Sequence, residues 1–239
     1  MPCGRFIVIL QYRAGDRCLC QPFCGEFRDE LDFKLTGQYS FSVSDSPKRG
    51  AREKLIAAAT ELIRRNGYSA TSVDSIVEAA GVSKGSFFYH FEGKEALTTA
   101  CLENWDRMTT GMLADAPFMQ LEDPVQRLQG CLEFFIMVFS DARQYPSCLV
   151  GTTVQEVADS SPTLREAART CFSHAAGQIG GLIAGAAQAR GRELDSMGLA
   201  NLWMATLQGS LLMAKASGDP ARIPANLRSQ RDYILGLLG

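Results

Sequence analysis

Between Thr71 and Lys94 the chain concentrates one kind of chemistry. Thr71, Ser72, Ser83, Lys84, Ser86, Tyr89, His90 and Lys94 are all hydrogen-bond donors, and they are interleaved with Phe87, Phe88 and Phe91. Hydroxyls and the imidazole can donate to phosphate oxygens, and a lysine can reach either a phosphate or a guanine edge. Gly85, inside the run, removes a side chain where a helix backbone would approach a duplex closely. An exposed Phe-Tyr-His run is unfavourable in water unless a partner covers it.

Other chemistries fare worse. The chain has only two histidines, His90 and His174, and lacks a Gly-x-Ser-x-Gly elbow, a phosphate-binding loop and a metal-binding histidine pair. Its carboxylates are scattered along helix surfaces, so no catalytic constellation is expected and the chain is not expected to be an enzyme. Cys18, Cys20 and Cys24, with Cys3 upstream, are spaced C-x-C-x3-C rather than as paired C-x2-C knuckles, so neither a metal site nor a cofactor is expected. The apolar run Phe6 to Leu10 is too short for a signal-peptide core, and no stretch approaches the ~20 apolar residues of a membrane helix. A cytoplasmic, reducing location with free thiols and no membrane partner is the expectation. Net charge is −2, yet residues 45 to 94 hold eight Lys/Arg against six Asp/Glu. That bias is too mild to identify a nucleic-acid binder unaided.

The donors need helices to position them. Residues 1 to 46 show no sustained helical period and end in a serine-rich stretch before Pro47; a poorly ordered extension is expected there. From Pro47 a first helix begins, with Leu55, Ile56, Ala59, Leu62 and Ile63 on one stripe and Asn66-Gly67 as its stop. Ser69 to Ser72 offer hydroxyl caps for a second helix whose Val73, Ile76, Val77 and Ala80 face inward. Gly81 ends it at a turn that favours positive φ, and Ser83 caps a third helix in which Phe87 and Phe91, with Val82, form the buried side. Lys94 opens a fourth helix, where free backbone N–H groups and the lysine together make a phosphate anchor, as Thr71 and Ser72 do at the second. Two short helices meeting across a glycine, the second rich in small polar, basic and aromatic residues, form the pattern of a helix-turn-helix DNA reader.

The segment Ala51-Arg-Glu-Lys-Leu-Ile-Ala-Ala-Ala-Thr-Glu-Leu-Ile-Arg-Arg-Asn-Gly-Tyr68, then Thr71, then Val82-Ser-Lys-Gly-Ser-Phe-Phe-Tyr-His-Phe-Glu-Gly-Lys-Glu-Ala-Leu97, closely resembles the N-terminal domain of TetR/AcrR-family transcriptional regulators. The resemblance implies an all-helical homodimer, each subunit presenting its third helix to a major groove of a palindromic operator, and usually repression relieved by a small ligand. Carried onto this chain, it assigns DNA contacts to Thr71, Ser83, Lys84, Ser86, Tyr89, His90 and Lys94. Phe88 departs from the pattern, since the family often has tyrosine there; a phosphate hydrogen bond is lost at that position.

The remainder reads as further amphipathic helices with no strand-like alternation. They are expected over Lys94 to about Ala114, from Asp123-Pro124 through Phe139 to a break at Tyr145-Pro146, over about Leu149 to Asp159, from Ser161-Pro162 to about Ala189, over about Asp195 to Ser217, and from Pro220 to Leu238. The expected fold is all-α with about nine helices: an extension over 1–46, a three-helix helix-turn-helix domain over 47–94, and an effector-binding and dimerisation bundle over 95–239. The last two helices form an apolar hairpin that most simply buries itself against a second copy, as the resemblance also implies. Phe135, Phe139, Phe172 and Trp203 are candidates to line an apolar effector cavity, although aromatics at helical spacing are more often plain core. Cys148 opens a helix, where the local dipole favours a reactive thiol. The stretch Ser147-Cys-Leu-Val-Gly151, with Glu156 and Pro162-Thr-Leu-Arg165, is similar to a branch of that family which includes electrophile-responsive repressors with a cysteine at the corresponding place. The competing function is a helical protein-binding adaptor that uses the aromatic third helix without DNA.

Overall fold

A computed structural model describes residues 50–140 and 147–239. The expected extension over 1–46 with its four cysteines, the helix start at Pro47 and the break at Tyr145-Pro146 lie outside the described residues. Within them the chain forms nine α-helices, a single 3-10 turn and no strand. The helices are α1 (Ala51–Asn66), α2 (Val73–Ala80), α3 (Lys84–His90), α4 (Lys94–Ala114), α5 (Pro124–Val138), α6 (Leu149–Val157), α7 (Pro162–Ala189), α8 (Ser196–Ser217) and α9 (Arg222–Gly236).

Local chemistry sets most of these boundaries. Ser72 accepts from the Ser75 amide while Ser75 Oγ receives the Ser72 amide, a reciprocal capping box that starts α2. Asp123 and Ser161 cap α5 and α7 ahead of Pro124 and Pro162, and Asp195 caps α8. Gly218 ends α8 in the left-handed region at φ 66°. Two boundaries differ from the pattern in the sequence. The 3-10 turn Pro117–Gln120 continues past the proline that ends α4, and it buries Phe118. Helix α5 stops at Val138 rather than running through Phe139, because Ser140 folds back to bond the Ile136 and Met137 carbonyls.

The described helices all belong to the compact unit Ser46–Gly239. Helix α7 is its spine, packing against α4, α5, α6 and α8, while α9 closes on α5 and α8. Among the glycines of α7, Gly180 marks a close approach: a Cβ there would lie 2.6 Å from Met197 Sδ and 3.7 Å from the Ala200 methyl of α8. Two buried clusters result. One joins Leu128, Leu132, Ile179, Ile183, Trp203, Leu207, Leu227 and Ile234. The other holds Leu55, Ile63, Ile76, Phe87 and Leu97 together with Leu149, Val157, Leu164 and Ala168, so the core under the three N-terminal helices continues into α6 and α7.

Trp203 is fully buried in the first cluster, edge-on to Phe135 with ring centroids 6.1 Å apart. Trp203→Ala should therefore cost about 3–5 kcal/mol in urea denaturation.

Candidate nucleic-acid interface and sensor site

Gly81 takes φ 62° and ψ 39°, the left-handed geometry expected of it, and its amide reaches back to the Glu78 carbonyl. Ser83 then accepts from the Ser86 amide at 3.1 Å and starts α3. Only seven residues long, α3 is held by its buried side: Phe87 is fully buried and Phe91 is 6% exposed. Burying one such ring is worth about 1.5–3 kcal/mol, more than so short a helix supplies by itself. Its other side faces outward. Tyr89 is 84% exposed and Phe88 54%, with Tyr89 edge-on to His90 at 4.9 Å and Phe88 edge-on to Phe87 at 5.1 Å. Lys84 Nζ lies 2.7 Å from Asp74 Oδ1, a surface pair tying α3 to α2. At Gly85 a Cβ would meet nothing nearer than Ser83 Oγ at 3.8 Å, so no internal packing demands glycine and the open space lies outward. Ser83, Lys84, Ser86, Tyr89 and His90 are thus gathered on one short helix and its cap.

Thr71 and Lys94 are placed differently from the expectation. Thr71 is 1% exposed and its hydroxyl donates to the Gly67 carbonyl at 2.7 Å, so that hydroxyl is turned inward and committed. The Lys94 ammonium donates to the Tyr68 carbonyl at 2.9 Å and the Thr71 carbonyl at 3.0 Å, and stands 4.1 Å over the Tyr68 ring. Both side chains tie down the α1–α2 turn rather than facing outward. Partial burial pulls the Lys94 pKa below its ordinary value, opposed by the charge of Glu156.

Glu156, from α6, completes that turn. Its Oε1 accepts from the Tyr68 amide at 3.0 Å and its Oε2 from the Ser69 amide at 2.7 Å. Burial alone would raise its carboxyl, but the bonds from Ser69 and Tyr68 and the nearby Lys94 charge outweigh burial and hold it below the usual range. Gly67 adopts φ 91° there, and a Cβ on it would collide with the Glu156 carboxylate. At the other end of α6, Ser147 and Arg64 are both buried and bond reciprocally: Arg64 Nε donates to the Ser147 carbonyl at 3.2 Å, and Ser147 Oγ donates to the Arg64 carbonyl at 2.6 Å. The Arg64 guanidinium also lies over the Trp105 ring, 5.3 Å from its centroid. Glu156 stood in the motif that marked the resemblance, yet nothing local in the sequence said what its carboxylate would grip. Arg64 and Ser147 stood in the quoted stretches as well, but nothing local announced their pairing across 83 residues.

The sensor candidates do not converge on one cavity. Trp203 is core, and Phe135 and Phe139 pack against the same cluster. Phe172 instead lines a groove of about 360 Å³ between α7 and α8, with Arg169, Ser173, Asn201, Met204, Ala205 and Gln208. Gln208 Nε2 is buried there without a hydrogen-bond partner among the described residues, and Gln208 also presses against Gly151 of α6. Cys148 is the N-cap of α6, half-buried and packed against both clusters. Cys101, Cys131 and Cys171 are buried, and burial pushes each of their thiols up to about 12. Those three stay protonated and unreactive. Among the described residues no cluster of metal ligands forms, and no helix is long and apolar enough to cross a membrane.

Comparison with known proteins agrees with this geometry. The family model for bacterial regulatory proteins of the tetR family matches residues 55–101, which include α2, α3 and the start of α4. The model for the C-terminal domain of LmrA/YxaF-like transcriptional regulators matches residues 124–225. An uncharacterized HTH-type transcriptional regulator of Lactococcus lactis is 25% identical over 171 residues, 72% of this chain and 86% of that protein. The HTH-type transcriptional regulator LmrA of Bacillus subtilis is 31% identical over 123 residues, 51% of this chain and 65% of its own length. The crystal structure of a TetR regulatory protein from Rhodobacter sphaeroides superposes with a TM-score of 0.67 at 28% identity, covering 77% of this chain and 98% of that one. With a matching reading domain, a matching C-terminal domain and the same fold in solved relatives, the chain belongs to the TetR family of transcriptional regulators and carries that family's helix-turn-helix DNA-binding domain.

Proposed function

We propose that the protein is a homodimeric repressor that reads a palindromic operator through α3 and leaves it when a small apolar or electrophilic effector engages the C-terminal helices. The observation that carries the DNA contact is the outward presentation of Tyr89 and Phe88 beside Ser83, Lys84 and Ser86 on a helix whose inner face is locked by Phe87. A buried aromatic anchor fixes the helix, and the exposed residues are then free to meet phosphate and base edges. Ser83, Lys84, Ser86, Tyr89 and His90 are assigned to the interface. Thr71 and Lys94 support it by holding the turn that leads into α2.

Dimerisation is assigned to α8 and α9. Met197, Leu202, Leu212 and Met213 of α8 and Tyr233 of α9 are large, apolar and about half exposed, a surface that a second copy would cover. The effector is assigned to the α7–α8 groove and to Cys148. Phe172 and Met204 offer apolar contact, and the unpartnered Gln208 amide suits a ligand that carries a hydrogen-bond acceptor.

Mobility-shift titration on the promoter of the neighbouring gene tests the central reading; an intact dimer that shifts no DNA overturns it. Lys84→Ala and Tyr89→Ala should each weaken binding about tenfold or more, corresponding to roughly 1–3 kcal/mol per contact, with the melting temperature unchanged because both side chains are exposed. Lys84→Ala should also reduce the salt slope by about one. Replacing Leu212 and Met213 by glutamate should yield monomers in sedimentation velocity and abolish cooperative binding to the palindrome. A soft electrophile should release the wild-type protein from DNA, and Cys148→Ser should blunt that release; unchanged release in the variant would move the effector site to the groove alone.

A further inference from the structure

The carboxy-terminal end of α1 is only partly capped by the residues that directly follow it. A helix closing on glycine ordinarily turns left-handed there, so that the amides beyond it fold back onto the last carbonyls. Here Gly67 sits at φ 91° and ψ 164°, which carries the backbone away instead, and only the Gly67 amide returns, to the Ile63 carbonyl. Within the turn the Thr71 hydroxyl and amide take the Gly67 and Tyr68 carbonyls, and the groups that remain are satisfied from elsewhere. Ser147 Oγ caps the Arg64 carbonyl, and Glu156 takes the Tyr68 and Ser69 amides. Lys94 takes the Tyr68 and Thr71 carbonyls. Two of these three belong to one nine-residue helix and its approach: Glu156 is in the last turn of α6, and Ser147 precedes its cap, Cys148.

We propose that Ser147 and Glu156, at the two ends of α6, are positioning residues for DNA binding: gripping the end of α1 at two points, they fix the orientation in which α2 and α3 are offered to the operator. The inference rests on α3 being the reading helix. Two points of attachment define a direction where one would leave a pivot. The turn they hold leads within one residue of Thr71 to the Ser72 cap of α2, and α2 carries Asp74, the anchor of Lys84. The same short helix meets the α7–α8 groove through Gly151 against Gln208, and it begins at Cys148.

The test uses the full chain and a duplex that the wild-type protein itself selects from a randomised pool, with an unrelated duplex as reference. Ser147→Ala and Glu156→Gln should each lower affinity for the selected duplex about tenfold, as loss of a hydrogen bond to a buried or charged group does. Binding to the unrelated duplex and the dimer should be unchanged, and the melting temperature should fall by no more than several degrees, roughly the cost of one lost hydrogen bond. In Glu156→Gln the Tyr68 and Ser69 amides should exchange with solvent faster than in wild type, which reports loss of the grip independently of DNA. Faster exchange with undiminished affinity and selectivity overturns the proposal. Equal losses on both duplexes with a lowered melting temperature overturn it too, since that is general destabilisation. Should the wild-type protein select no duplex, the reading of α3 fails first, and the positioning role with it.

Discussion

The structure depends on how a few backbone groups between Asn66 and Ser72 find partners. Backbone N–H and C=O groups that leave a helix must be bonded to something, and in this turn the partners are Thr71 of the turn itself, Lys94 of α4, Glu156 of α6 and Ser147 just ahead of the α6 cap. One carboxylate and one ammonium, each below its ordinary pKa and each near the other, grip opposite polarities of the same short stretch. The three N-terminal helices are therefore not an independent module resting on a bundle. Their hydrophobic cluster runs on into Leu149, Val157, Leu164 and Ala168, and their polar end is closed by the same helices.

Much of this was legible in the sequence, and the parts that were share a cause. Gly81, Ser83, Asp123-Pro124, Ser161-Pro162 and Asp195 act on backbone a few residues away, so their types announce their roles. The division of α3 into a buried Phe87-Phe91 side and an exposed Phe88-Tyr89 side follows from helical spacing alone. Gly67 shows where that reasoning stops. A glycine after a helix reads as a self-sufficient stop, but its actual φ and ψ answer to Glu156, 89 positions away in sequence. Thr71 and Lys94 show the same limit: a hydroxyl and an ammonium near a helix start look like phosphate ligands, while the carbonyls they bond in the structure belong to a turn whose shape the sequence does not announce.

The sensor half was less legible because its residue types are ambiguous. Trp203, Phe135 and Phe139 are apolar whether they line a void or fill one, and here they fill one. Phe172 belongs to a groove whose remaining walls, Asn201, Met204 and Gln208, come from a helix whose facing side could not be fixed before α7 and α8 were paired. The glycines of α7 divide likewise. Gly180 permits close approach to α8, while Gly177 and Gly181 meet nothing.

The brevity of α3 has a consequence for how such a protein changes over time. Its fold is secured by Phe87 and Phe91, whereas Gly85 and Tyr89 meet nothing that the fold requires and Phe88 touches only the edge of Phe87. Substitutions on that outer face carry almost no folding penalty, so under the reading role proposed for α3 base preference can drift while the scaffold stands still. Duplicated copies of one gene can then part company in the promoters they recognise well before they part company in architecture, and a new regulon can be acquired through a handful of surface exchanges on seven residues.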